Sequence, residues 1–272
     1  MKGLLRTRNC PRLLTLSTAC WRLSENTGCG SKIVLLIPAS LVAMSDSIKV
    51  ACVVLAAGQS RRMGFPKALL EVDGQAALSV IVETLRAIGT IEPIHVVVAS
   101  KDAGWIREWA CSREDVGVQI EVNARSEDGR TGSIQVGLDS LPPEIGATWI
   151  WPVDTPCVSA KTLTTLLQIA KLRGRESRVV PATWSRGAET RRLGAERPVE
   201  PLRGGHPILI GSHWWPQIQG MDPDQPLRDF FVIEPDKVDR VEVDDPAILW
   251  NLNTPGDVER HLGKPAARMD RL

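Results

Sequence analysis

Residues 50–70 read VACVVLAAGQSRRMGFPKALL, and the fold turns on this stretch. Residues 50–57 form an unbroken apolar run, as in a strand buried on both faces. The run stops at Gly58 and gives way to a loop that carries Ser60, Arg61 and Arg62, contains Gly64 and closes at Lys67. A buried strand that ends at a glycine and hands over to a cationic loop suits phosphate. Small residues let backbone N–H groups approach the anion, and the cations offset its charge.

Strand-like and helix-like segments alternate from there. Residues 76–88 place Leu78, Ile81, Val82, Leu85 and Ile88 on one helical face, and Gly89 stops the helix. Residues 94–99 read as a buried strand and 101–111 as a helix with Trp105, Ile106 and Trp109 on one side. Residues 116–122 alternate as a strand. Residues 123–132 are a polar loop, and 133–141 a short helix with Ser133 as its cap. Residues 148–153 form a strand that ends at Asp154-Thr155-Pro156. A helix over 159–172 and a strand over 178–182 follow. Residues 185–205, rich in arginine and glycine, read as a mobile loop or lid. A strand over 206–210, a helix over 226–231, an edge strand over 238–243 and a helix over 256–262 opened by Pro255 complete the chain.

This rhythm predicts an α/β fold with a mostly parallel, Rossmann-like sheet sandwiched by helices. Ligands of such sheets bind beyond the carboxyl ends of the strands, where Gly58, Asn123 and Asp154 all fall. Residues 47–272 read as one domain. Residues 1–46 read as an extension, disordered or upstream of a true start at Met44. Within them residues 1–44 carry Lys2, Arg6, Arg8, Arg12, Arg22 and Lys32 against Glu25 as their one acid, and the apolar run over 33–38 is too short to span a bilayer. With 33 basic and 32 acidic residues, no overall field draws the chain to nucleic acid or membrane. Six cysteines without a C-x-x-C pair suggest reduced thiols in a cytoplasmic protein.

The loop is neither G-x-x-x-x-G-K-[ST] nor G-x-G-x-x-G. From Leu55 to Lys67 it follows L-A-A-G-x-S-x-R-M-G-x-x-K. That pattern resembles the signature of the MobA/MocA-like nucleotidyltransferases, which serve the molybdenum cofactor, over roughly residues 48–263. The resemblance implies a nucleotide held by Leu55, Ala56, Ala57, Gly58 and Ser60 and a triphosphate held by Arg62 and Lys67. It puts the reading of base and acceptor on Asn123 to Ser133, where Arg130, Thr131, Gly132 and Ser133 stand in place of the usual serine run. Asp154 would bind Mg²⁺ and serve catalysis with Arg62 and Lys67. Asn253, in the segment Asn253-Thr254-Pro255-Gly256-Asp257, is either a second metal ligand or the cap of the last helix. His206, in Gly205-His206-Pro207, contacts substrate or packs.

The implied reaction is Mg²⁺-dependent transfer of a nucleoside monophosphate from an NTP, with CTP favoured, to a phosphomonoester such as molybdopterin, with a molybdoenzyme as a downstream partner. A sugar-phosphate nucleotidyltransferase and a non-catalytic nucleotide-binding regulator are the alternatives.

Overall fold

The structure, a computed structural model, describes residues 48–89, 91–111, 117–183 and 202–270. The extension over 1–46 and most of the expected lid over 185–205 lie outside these residues. In chain order the elements are β1 (Val50–Leu55), β2 (Glu71–Val72), β3 (Gln75–Ala76), α1 (Ala77–Ile88), β4 (Ile91–Ala99), α2 (Ala103–Cys111), β5 (Val118–Asn123), α3 (Arg130–Asp139), β6 (Ala147–Pro152), α4 (Ala160–Arg173), β7 (Arg178–Thr183), β8 (Arg203–Gly204), β9 (Ile208–Gly211), α5 (Trp215–Gln219), α6 (Arg228–Ile233), β10 (Asp239–Glu242) and α7 (Pro255–Leu262).

The main sheet runs β10-β7-β9-β6-β1-β4-β5, with β8 paired to β7. β1 is central and pairs in parallel with β4 on one side and β6 on the other. The chain winds outward from β1 through β4 to β5 and then returns to the far side of β1 as β6. A crevice opens where the winding reverses, beyond the carboxyl ends of β1 and β6. One departure from the expected parallel pattern is β9, which lies antiparallel between β6 and β7. An antiparallel strand needs no crossover helix, so β9 fits where the strand–helix rhythm has lapsed.

Both faces of β1 are buried because its residues alternate between two cores. Val50, Cys52 and Val54 pack with Leu78, Ile81 and Leu85 of α1, Ile106 of α2 and Leu163 and Leu166 of α4. Ala51, Val53 and Leu55 pack with Ile134 and Leu138 of α3, Ile218 of α5 and Phe230 of α6. Arg178 opens β7 inside the second layer. It donates to the carbonyls of Phe230 at 2.6 Å and Glu234 at 3.2 Å, and its guanidinium lies 4.7 Å from the Trp214 ring centroid. Trp214 is thus a packing residue. Among the described residues no helix is long and apolar enough to cross a membrane.

α3 lies so close to the sheet that a Cβ on Gly137 would come 2.3 Å from Cγ1 of Val53. Gly137→Ala is therefore expected to destabilise the protein by about 1–3 kcal/mol, since a packed core yields little to an added methyl. Urea unfolding checks this, and combining it with Val53→Ala should recover part of the loss.

Candidate active site

The loop beyond β1 is held in shape by its own serine. Ser60 takes a φ of 50°, the left-handed region, which costs a residue with a side chain about 1–3 kcal/mol. Hydrogen bonds hold it there. Its carbonyl accepts from the N–H groups of Met63 at 3.0 Å and Gly64 at 3.1 Å, and its Oγ accepts from the Lys67 N–H at 3.2 Å. Met63 is buried and anchors the loop, while Arg61 and Arg62 face solvent. Ser60 thereby fixes the backbone from which the Lys67 side chain reaches inward.

Lys67 joins three distant segments. Its Nζ donates to Asp154 Oδ2 at 3.2 Å and to Asn253 Oδ1 at 2.5 Å. Asp154 follows β6 and is buried. Its carbonyl accepts from the Leu252 N–H at 2.8 Å, which draws the Asn253 segment alongside. Of the two readings of Asn253, the cap is excluded. Thr254 caps α7 in a reciprocal capping box with Asp257, which leaves the Asn253 side-chain oxygen to Lys67. Asp154 Oδ1 is buried, and none of the described residues hydrogen-bonds to it.

A cleft of about 270 Å³ opens at this point. Leu55, Ala56, Ala57, Gly58 and Ser60 line one wall, Arg130 and Ser133 another, and Lys67 and Asp154 are also exposed to it. Four of the residues singled out in the sequence do not line it: Arg62, Asn123, His206 and Asn253, the last of which meets it through Lys67. Arg62 is exposed on the outer turn of the loop. Asn123 is buried, donating from Nδ2 to Ser133 Oγ at 3.0 Å and accepting at Oδ1 from the Arg125 N–H at 2.9 Å, so its amide shapes the loop that follows β5. His206 lies within the electrostatic reach of both Arg130 and Asp154, and its buried Nδ1 has no partner among the described residues. Burial first, and the Arg130 charge second, lower its pKa to about 4 against the opposing pull of Asp154.

Arg130 is the site residue to which sequence reasoning gave no role. The expected cap at Ser133 is corrected, because α3 begins one turn earlier with Gly129 as its cap. Gly129 has a φ of 136°, and a Cβ there would come 2.5 Å from the Pro223 carbonyl, so only glycine fits. The Gly132 N–H donates to that same carbonyl at 3.1 Å. With the helix started there, Arg130 sits at its first residue, with Nη2 3.7 Å from Asp154 Oδ2. The signal in the sequence was the glycine at 129, outweighed by a serine that caps well in isolation.

Two cations meeting on one buried carboxylate, below a loop shaped for anions, suit a phosphate ester. The donor set also fits a divalent cation of the Mg²⁺ type. Such ions take one or two protein oxygens and fill the rest of their shell with water and phosphate. The unpartnered Oδ1 of Asp154 offers one oxygen and Asn253 Oδ1 a second. Among the described residues no cluster of three His, Cys, Asp or Glu side chains forms a closed metal cage.

Comparison with known proteins bears on the family and the fold. The family model described as the MobA-like NTP transferase domain matches residues 52–239. A protein of Geobacillus sp. (strain WCH70), described as a probable molybdenum cofactor guanylyltransferase, is 31% identical over 124 residues. That match takes in 45% of this chain and 58% of the relative's length. Among solved structures, 4-diphosphocytidyl-2C-methyl-D-erythritol synthase from Anaerococcus prevotii superposes with a TM-score of 0.64 at 16% identity, over 82% of this chain and 99% of that one. Rv0371c from Mycobacterium tuberculosis H37Rv, in complex with manganese, superposes with a TM-score of 0.59 at 18% identity, over 79% and 99%.

The depressed pKa of His206 makes a stability prediction. Between about pH 6.5 and about pH 4 the unfolded chain binds a proton that the folded site refuses, so stability falls as pH drops through this window. Melting temperatures measured from pH 7 to pH 4 are expected to fall, and His206→Gln is expected to flatten part of that fall.

Proposed function

The chain belongs to the MobA-like NTP transferase family, and on that premise we propose that it transfers a nucleoside monophosphate from an NTP to a small phosphorylated acceptor and releases pyrophosphate. The observation that carries this reading is the meeting of Lys67 and Arg130 on Asp154, beside the Ala57–Ser60 wall and at the sheet's point of reversal.

In this reading an oxygen of the acceptor's phosphomonoester attacks the α-phosphorus of the NTP. The bond from that phosphorus to the bridging oxygen of the β-phosphate breaks, and pyrophosphate leaves. No covalent intermediate with the protein is required, because positioning and charge stabilisation suffice for phosphoryl-type transfer. Leu55 to Gly58 and Ser60 hold the nucleotide against the carboxyl end of β1, and Ser133 faces it from α3. Lys67 and Arg130 offset the charge that grows on the phosphate oxygens, each fixed cation being worth a few kcal/mol in a site closed to water. Arg62, exposed on the loop's outer turn, would meet the distal phosphates only by turning toward the cleft. Asp154 and Asn253 would hold a divalent cation, Mg²⁺ or manganese as in the complex of the mycobacterial protein. When bound, such an ion draws phosphate oxygens together and lowers their repulsion. His206, neutral above about pH 4, contacts the acceptor without adding charge.

CTP is the donor we favour, from the LAAG run ending at Gly58 and the Gly205-His206-Pro207 segment. GTP is the rival, favoured by the description of the Geobacillus relative as a guanylyltransferase. Molybdopterin is the proposed acceptor. A sugar phosphate is the second reading, supported by the fold shared with the erythritol synthase.

Pyrophosphate release tests the proposal. Purified protein is incubated with Mg²⁺ or Mn²⁺, with CTP or GTP, and with molybdopterin or a sugar phosphate. Release is expected with one donor and one acceptor, and Asp154→Asn should slow it by about 10²–10³-fold. Protein that binds an NTP yet releases no pyrophosphate with any pair would instead be a nucleotide-binding regulator.

A further inference from the structure

Lys67 lies on both oxygens through which Asp154 and Asn253 are joined. Its Nζ is 3.2 Å from Asp154 Oδ2 and 2.5 Å from Asn253 Oδ1, and the two charged side chains are only 15% and 5% exposed. A divalent cation would draw on the same donor set. It needs its oxygens at about 2.1–2.2 Å, and it carries two charges of the same sign as the ammonium. With Lys67 in place, the oxygen left free is Asp154 Oδ1. One carboxylate oxygen beside a fixed positive charge binds a hydrated divalent ion poorly.

We propose that Lys67 keeps the divalent cation's place, barring a bare metal ion from Asp154 and Asn253 and yielding it only when a nucleotide phosphate draws the ammonium away. The metal therefore enters together with the nucleotide and not ahead of it. This inference rests on the nucleotidyl-transfer reading of the same site and adds the order in which that site fills. The exchange needs little rearrangement. The Lys67 N–H stays fixed on Ser60 Oγ, so only the flexible four-carbon stem moves. The loop around it is the part of the cleft shaped for phosphate. Arg130 stays within 3.7 Å of Asp154 Oδ2, so the carboxylate keeps one cation when the other leaves. The short reach from a fixed backbone makes the lysine a placeholder as well as a phosphate ligand.

The test measures metal and nucleotide separately on the full chain. Mn²⁺ is titrated without nucleotide, free Mn²⁺ being read by electron paramagnetic resonance. CTP and GTP are titrated by equilibrium dialysis in EDTA, without metal. Lys67→Gln and Lys67→Met are expected to bind Mn²⁺ at least tenfold more tightly than the wild type and metal-free NTP at least tenfold more weakly. Lys67→Arg, which keeps the charge, should hold Mn²⁺ as weakly as the wild type. Asp154→Asn in the Lys67→Gln background should abolish the gain, which places the ion at Asp154. A lysine that merely props the fold would weaken both ligands, so the opposite signs are the signature. The inference is overturned if neither neutral variant binds Mn²⁺ more tightly than the wild type, or if the gain survives Asp154→Asn. The Mn²⁺ titration contains no nucleotide. Its failure thus leaves the transfer reading intact, whereas absent pyrophosphate release removes that reading whatever the titration shows.

Discussion

One ammonium group ties the site together. Lys67 reaches Asp154, 87 residues along the chain, and Asn253, 186 residues along, and all three lie at one edge of the sheet. Asp154 is buried, and an isolated carboxylate out of water is costly unless it is paired. Lys67 supplies that pairing only if its loop is closed by Ser60, and Asn253 can join only because Thr254 has taken over the cap of α7. The strained Ser60 backbone and the capping box both serve the placing of one lysine.

The sheet makes that meeting possible. β1 and β6 are neighbours although 147 follows 55 by way of two other strands of the main sheet, because the winding reverses between them. Loops that leave adjacent parallel strands on opposite turns of the winding splay apart and leave a crevice. The Gly58–Lys67 loop fills one side of it and Asp154 the floor, while α3 crosses from β5 to supply Arg130. Gly137 lets α3 lie flat on β1, and that close packing carries the start of the helix, with its arginine, toward the carboxylate.

Much of this was legible in the sequence for local reasons. The apolar run over 50–57 has a short-range signature, as do the helical face of Leu78, Ile81 and Leu85 and the glycine stop at 89. The signature from Leu55 to Lys67 is contiguous, so it is readable without any knowledge of contacts. What escaped depends on contacts between distant segments. Ser133 is a good cap in isolation, yet Asn123 takes its hydroxyl and the Pro223 carbonyl fixes the helix start at Gly129. Arg130 becomes a site residue only through that shift of one turn. β9 runs antiparallel because of where the chain re-enters the sheet, which the composition of residues 208–211 does not encode. The pairing of Lys67 with both Asp154 and Asn253 is likewise a fact of topology.

The charge balance of the cleft has a consequence for how it works. Lys67 and Arg130 face Asp154 and Glu127 across it, so the lining is close to neutral before any ligand arrives. A neutral lining attracts neither a bare metal ion nor a bare polyphosphate strongly, whereas a divalent ion bound to a polyphosphate offsets part of its charge. Under the proposed function, a lining of two cations and two acids suits a metal–nucleotide pair better than either partner alone. Asn253 keeps that balance, since an aspartate at this position would add a third acid and bind Lys67 more firmly. The imidazole of His206, its pKa lowered by burial and by Arg130, adds no further charge near Arg130 and Asp154 above about pH 4.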